Sequence, residues 1–401
     1  MTGPRRAIIL SLLVVGFGVA IAAGGAPVSA DGAPIAATDG DGTLLQPVET
    51  TPNTTRSLSV DSVDGTGSGS ASVSVTKALQ AETGTVEAKL DQQSVENQLR
   101  TADTDAEAVL AAAFERTHGR LDTIETREAA ARDRFRGGEI DVETYLDTLG
   151  AVNRQAQAME RTLAGYEELT EDHPSLQDQV AALETRTVRY TGPIGDDVGA
   201  AVTGGEQSGS VFVTTGENGL ALATLTEERY TREVMRTDAR DEAVGGVDLD
   251  AAQTRIAELY PWAWEHKGDV SINTVGQDVF RFQLSHGHGE LNSLLDTSSG
   301  NVYREIQWKS LQDLPVSPGP SKTVENTTLQ VSEPLPGEPV RIQVVNRSGA
   351  PLPGTVSVDG RTLGDTAAGP VWLIGPTEPF NVTASTTSET LELEVQPESR
   401  Q

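Results

Sequence analysis

Two histidines stand within one six-residue stretch, "SHGHGE" at 285–290, in a chain that has five histidines in all. His286 and His288 carry the donor atoms to chelate a divalent metal, with Glu290 as a third ligand. Both also stand beside glycines between two apolar runs, the setting of a hairpin turn, where polar residues are expected for another reason. A fourth ligand at a zinc-like spacing is missing, so the turn is the simpler reading and the metal the sharper one. Ser285, a histidine and Asp296 have the atom types of a hydrolytic triad, but Ser285 lacks the G-x-S-x-G elbow that exposes a nucleophile. No phosphate-binding loop or dinucleotide fingerprint occurs. No catalytic residue is assigned, and no cofactor is expected.

Two other groups invite a chemical reading. Asp296 opens "DTSSG", which ends at Gly300 and leads into Val302. An aspartate accepts backbone N–H bonds two or three residues on, and a glycine at the far end supplies positive φ, so a turn accounts for both. Tyr260, Trp262 and Trp264 cluster after a short helical pattern. They suit a sugar- or peptide-contacting platform, or packing between helix and sheet, which is the commoner use of such a cluster.

Composition narrows the class. The 401 residues carry 59 acidic against 30 basic side chains, a formal charge of -29, with no cysteine. Such an acid excess repels phosphate backbones, so nucleic acid is not an expected partner. Molar salt shortens the Debye length to roughly 3 Å and removes most of the self-repulsion. Acid spread along the chain with scarce lysine therefore suits a salt-loving organism. Without cysteine there are no disulfides, thiolate sites or cysteine lipid anchors. With so many carboxylates, a pair of them placed for glycoside hydrolysis would carry no information.

The expected organisation starts with an export signal at 1–30. Arg5 and Arg6 precede the apolar run Ala7–Ala23, and "PVSA" offers a cleavage site before Asp31. "RRAII" resembles the twin-arginine pattern; the general export route and an uncleaved membrane anchor stay open beside it. Residues 31–93 are rich in Gly, Ser, Thr and Asp and are expected to form a flexible low-complexity stalk, with one short strand at 70–75. "TDGDGT" (38–43) lacks the acids of a calcium loop and belongs to that stalk. Residues 94–187 predict helices. Thr104 and Glu107 have capping-box spacing, and Leu110, Phe114, Leu121, Ile124, Ala131 and Phe135 follow a 3-4 rhythm up to Gly137 and Gly138. From Asp141, the residues Tyr145, Leu149, Val152, Ala156, Met159, Leu163 and Tyr166 form a coiled-coil seam. With a third helix opened by Pro174, they predict a helical hairpin or three-helix coiled-coil bundle, folded back on the tight Gly-Gly turn rather than paired between molecules.

Residues 188–208 read as a linker. From 209 to 312 the period changes to 2, with strands at 210–215, 220–225, 229–235, 270–275, 279–285, 290–296 and 301–308 and one helix at 251–260. That order predicts an antiparallel sheet with a helix on one face. Residues 313–324 are a Pro-rich spacer, and 325–398 have the short, evenly spaced strands of a small β-sandwich. The fold class is thus multidomain α+β. Asn53, Asn326, Asn346 and Asn381 each open an N-x-S/T sequon, a possible glycan site in an exported protein.

The helix at 251–260 followed by "VFRFQLSHGHGELNSLLDTSSGNVYRE" resembles the PepSY domain, with Asp296, Gly300 and Val302 matching its short motif. "ELYPWAWE" and "LLDTSSGNVYREIQ" resemble a family of exported haloarchaeal proteins of unknown function. "VVNRSGAPLPGTVSVDGRTLG" resembles carboxypeptidase-regulatory-like or Ig-like modules. These resemblances imply a secreted or cell-surface setting, no catalytic residues, and an extracellular or envelope protein or peptide as partner. A membrane contact is expected only through the N-terminal segment. The alternatives are an extracellular hydrolase with an unrecognised carboxylate site, or a metal-binding module built on 285–290.

Overall fold

A computed structural model describes residues 53–398, apart from 74, 102–104, 171–172, 241–245 and 277. The export signal, "TDGDGT" and Thr104 lie outside the described residues.

Helices α1 (Val75–Leu99), α2 (Ala106–Arg136), α3 (Val142–Leu169) and α4 (Pro174–Thr187) build the N-terminal half. Asp105 caps α2, accepting the Ala108 N–H at 3.3 Å, and Asp141 caps α3, accepting from Thr144 at 2.8 Å. Between them Gly138 takes φ +69, a conformation that costs glycine little. Phe135 stacks on Tyr145 at 5.0 Å, Arg127 reaches Gln155 at 3.0 Å, and Phe114 meets Tyr166 at 5.5 Å. Those three pairings fix α2 and α3 as an antiparallel hairpin within one chain. Every residue of the seam on α3, from Tyr145 to Tyr166, is buried.

The flexible stalk expected at 31–93 is corrected from residue 53 onward. Residues 65–69 form a strand, and α1 runs parallel to α3, with Lys77 Nζ donating to Thr148 Oγ1 at 3.2 Å. The reason it escaped notice is physical: α1 buries Ala88 and Val95 while Val75, Leu79, Val86 and Leu90 stay exposed, so its apolar residues do not mark its packed face. The strand expected at 70–75 lies instead at 65–69. The linker expected at 188–208 also contains a helix, α5 (Pro193–Val202), which buries Ile194, Val198 and Val202. A Cβ on Gly150 of α3 would stand 2.7 Å from Val202 Cγ2, so this close helix contact requires glycine.

The strands β1 (Gly65–Gly69), β2 (Val211–Gly216), β3 (Gly219–Leu225), β4 (Arg229–Arg236), β5 (Lys267–Val275), β6 (Val279–His286), β7 (Gly289–Asp296) and β8 (Val302–Ser310) form one eight-stranded sheet in the order β1-β2-β3-β4-β8-β7-β6-β5. Every pairing is antiparallel. Two helices, α6 (Leu249–Leu259) and α7 (Pro261–Glu265), connect β4 to β5. Alternation along the strands sorts the core into two layers. On one face Ile256, Leu259 and Tyr260 pack with Phe282, Leu284 and Leu291. On the other Val211, Val213, Leu220 and Met235 pack with Ile194, Val198 and Tyr145.

The C-terminal part has two four-stranded sheets. One is β9 (Pro318–Val324), β10 (Thr327–Ser332), β11 (Pro339–Asn346) and β14 (Val371–Ile374); the other is β12 (Thr355–Val358), β13 (Arg361–Asp365), β15 (Phe380–Ser385) and β16 (Thr390–Val395). Leu329, Val340 and Ile342 meet Val356, Phe380 and Val382 between them, as in a β-sandwich. The spacer expected at 313–324 is corrected in part, because 318–324 is the edge strand β9, a position that tolerates proline. Tyr230 donates its hydroxyl to Gly337 O at 2.6 Å and so ties the sandwich to the large sheet.

Candidate functional site

The turn after β7 answers the question raised by "DTSSG". Asp296 is fully buried, and its Oδ2 accepts the Ser299 N–H at 2.8 Å while Arg240 stands 3.6 Å from Oδ1. Gly300 has φ +68 and donates its N–H to Asp296 O at 2.9 Å. Val302 is buried beneath α6, and Arg255 of α6 donates to Gly300 O at 3.0 Å. These residues build a turn and lock it to the helix.

The "SHGHGE" hairpin does gather histidines, but not as ligands. Trp262 of α7 is sandwiched between His266 and His288, each ring centroid 4.6 Å away, and His286 meets it edge-on at 5.4 Å. Rings on opposite faces of one indole cannot aim their nitrogens at one ion. Glu290 pairs with Ser285, whereas His286 pairs with Gly289, so Glu290 and His286 lie on opposite faces of the hairpin. Among the described residues no group of three or more His, Asp or Glu could hold a metal. The metal reading of His286, His288 and Glu290 is therefore corrected to an aromatic stack. Burial pushes His286 down to about 4, with His288 adding to the shift. Its Nε2 lies 2.8 Å from Thr55 Oγ1. Tyr260 is core, and Trp264 is half-buried under a cation–π contact from Lys267 at 4.4 Å.

Thr55 belongs to the feature that the sequence hid most completely. Residues 54–60 cross the helix-covered face of the sheet as an extended segment, with Thr54, Thr55, Ser57, Leu58 and Val60 buried. Side chains of β4 and β8 bind its backbone. Arg232 donates to Leu58 O at 2.8 Å, and Leu58 N–H donates to Glu305 at 2.9 Å. Gln307 donates to Arg56 O at 2.6 Å, and Arg236 donates to Ser59 O at 2.9 Å. Arg232 and Glu305 pair at 3.3 Å, and the Tyr260 hydroxyl donates to Glu305 at 2.7 Å. Burial pushes the Glu305 carboxyl up; Arg232, the Tyr260 hydroxyl and the Leu58 N–H oppose that shift. Glu338 of the sandwich lies 3.9 Å from Arg232 and 3.8 Å from Lys309, so this buried charge network also reaches the C-terminal domain. Arg232 and Glu305 stand 73 positions apart in the chain. No local motif marks such a pair, and only the β4–β8 register brings it together.

The sequons are spread over the surface. Asn326 and Asn381 are exposed, and Asn346 uses its Oδ1 to accept the Ser348 and Ala350 N–H groups. Asn53 is exposed at φ +56, but its sequon hydroxyl, on Thr55, is buried against His286.

Comparison with known proteins follows this layout. A profile described as a domain of unknown function, DUF7096, matches residues 1–208. One described as a family of unknown function, DUF7094, matches residues 211–315, and an archaeal fibronectin-III type-like domain matches 320–393. No curated protein and no solved structure matches the chain. With just over half its length matched by the first profile, the chain belongs to the DUF7096 family, joined here to a DUF7094 sheet and an archaeal fibronectin-III type-like domain.

Proposed function

We propose that this is a non-catalytic, exported protein of the cell envelope that contacts an extended peptide or protein strand through the free edge of its PepSY-like sheet. One observation carries the reading: β5 is a nine-residue edge strand, exposed over most of its length, and Val270 to Val275 pair with β6 in regular register. Among the described residues its outer side meets one side-chain bond, from Thr185 to Val275 O at 3.3 Å. Such an edge presents N–H and C=O groups that a further strand satisfies, the basis of β-augmentation. The sheet's handling of residues 54–60 supports the same reading, because its side chains already bind extended backbone.

The remaining parts fit an envelope setting. The acidic composition suits molar salt, the N-terminal apolar segment suits export, α2–α3 serves as a coiled-coil spacer, and the exposed Asn326 and Asn381 are glycan sites. Neither the hydrolase nor the metal-module alternative has an observation of comparable weight. A crosslinking pull-down of the native exported protein in molar salt tests the proposal. Recurrent crosslinks from a partner to 267–275 are expected. Repeated recovery of bait alone, or crosslinks confined to the sandwich, would overturn it.

A further inference from the structure

The bundle-facing side of strands β6–β8 carries a cleft of about 330 Å³, roofed by α3, the 188–192 connection and the first turn of α5. That volume is at the lower end of the range for small-ligand sites, and a junction between packed units is where such sites concentrate. Its floor holds Arg281 of β6 and Asn292 of β7, both half-buried. Neither side chain has a hydrogen bond or ion pair to another described residue. The same sheet pairs Arg232, Arg236 and Arg304 with carboxylates, whereas the half-buried Arg281 guanidinium keeps its donors for another group.

The roof is acidic. Glu160 of α3 takes a hydrogen bond from Thr191 at 2.8 Å on one carboxylate oxygen. Asp196 of α5 takes Asn153 at 2.8 Å and Gln157 at 2.7 Å, both on the same oxygen. Each carboxylate thus keeps its second oxygen for another donor, and neither forms an ion pair among the described residues. Leu294 and Ile306 supply an aliphatic wall, and no aromatic ring lines the cleft. Without a ring to stack on, a sugar finds no platform here. Arg304 and Gln157 also line the cleft, but Arg304 is held by Glu233 and the carbonyls of Arg189 and Thr191, and Gln157 donates to Asp196. The guanidinium of Arg281, the amide of Asn292 and two half-used carboxylates, set around an aliphatic wall, match a ligand with a carboxylate at one end and an ammonium at the other.

We propose that this cleft binds a free α-amino acid as its zwitterion, with the ligand carboxylate on Arg281 and Asn292, its ammonium on Glu160 and Asp196, and an aliphatic side chain against Leu294 and Ile306. Arg281 is suited to this task because its planar donors match a carboxylate bidentately. Burial raises the Glu160 carboxyl, and an arriving ammonium works against that shift, so binding releases protons where Glu160 is partly protonated. The site is separate from the β5 edge and does not depend on what that edge contacts.

Calorimetric titration of the full chain in molar potassium chloride tests the assignment, with L-leucine as the probe. Leucinamide, which lacks the carboxylate, and N-acetyl-leucine, which lacks the ammonium, serve as matched controls. The expected result is saturable binding of L-leucine, with each control weaker by at least about tenfold, the scale of one charge-assisted hydrogen bond. Apart from its field on the Glu160 carboxyl, Arg281 has no hydrogen bond or ion pair among the described residues, so Arg281→Gln is expected to fold with a melting midpoint little changed and to bind at least about tenfold more weakly. Asn292→Asp keeps the shape and sets a negative charge against the ligand carboxylate; it too is expected to weaken binding. No binding of leucine, valine, alanine or glycine at tens of millimolar would overturn the proposal. So would equal binding of the blocked controls, or unchanged affinity in Arg281→Gln and Asn292→Asp.

Discussion

On one face of the large sheet Arg232 and Glu305 hold an extended segment; on the other, Arg304 and Glu233 hold the start of a helix. The four residues come from the same two strands, since Glu233 follows Arg232 on β4 and Glu305 follows Arg304 on β8. The ligands differ in how they offer their backbone. An extended residue such as Leu58 presents N–H and C=O side by side, so acid and base grip the same residue. The start of α5 presents N–H groups to Glu233, while the turn before it presents the carbonyls of Arg189 and Thr191 to Arg304. One kind of buried ion pair therefore serves two kinds of backbone, and in both cases its charges are satisfied by peptide groups as well as by each other. That is the condition under which a buried pair is tolerated.

The sharpest test of this comparison is to remove one acid at a time. Glu305→Ala leaves the buried Arg232 guanidinium with only Glu338, at 3.9 Å, as a carboxylate partner and is expected to cost about 3–5 kcal/mol in denaturant unfolding, with Arg56 newly open to trypsin in the folded state. Glu233→Ala is expected to cost a similar amount and to expose Arg189 instead. If either variant opened both sites, the two faces would not be independent. Next in size, Leu58→Ala empties a fully buried site and is expected to lose about 2–5 kcal/mol while leaving α5 protected from amide exchange. Gly150→Ala presses on Val202 from the opposite side, with an expected loss of about 1–3 kcal/mol and no change at Arg56.

The smallest effect is a pH dependence. In the unfolded chain the His286 imidazole takes a proton near 6.5, and in the folded one only near 4. The unfolded state thus binds more protons in that window, and stability falls as pH drops through it. His286→Asn is expected to flatten the fall, read as the urea midpoint between pH 7 and 4. The raised Glu305 and Glu233 carboxyls, one on each face, act with the opposite sign, so the net slope in wild type sets His286 against both of them.

Much of this fold was legible where apolar residues carry the packing. Apart from the exposed edge strand β5, most of the apolar residues singled out by spacing in the large sheet and the sandwich, and all of those in the seam on α3, are buried. The segment at 54–60 was not legible, because polar side chains between 174 and 251 positions away hold its backbone and its own sequence is mostly Ser and Thr. α5 had a signal, Ile194, Val198 and Val202 at four-residue steps, masked by its glycines and short length. At the site, His286 and His288 stood out, but Trp262 and His266 join them only through the way α7 lies beside β6. The cleft formed by Arg281, Asn292, Glu160 and Asp196 draws on four elements and leaves no motif at all.

The segment at 54–60 also orders events in time. Its bonds from Arg56 to Gln307 and from Leu58 to Glu305 close loops of 251 and 247 residues. Contacts so distant in sequence form late, after local hairpins such as α2–α3 and β6–β7. Neither strand that grips the segment is useful alone, because β4 supplies Arg232 and β8 supplies Glu305. The segment is therefore expected to be fixed after β4 and β8 have paired, and a fragment starting at residue 209 would present Arg232, Glu305 and Gln307 without the backbone they bind.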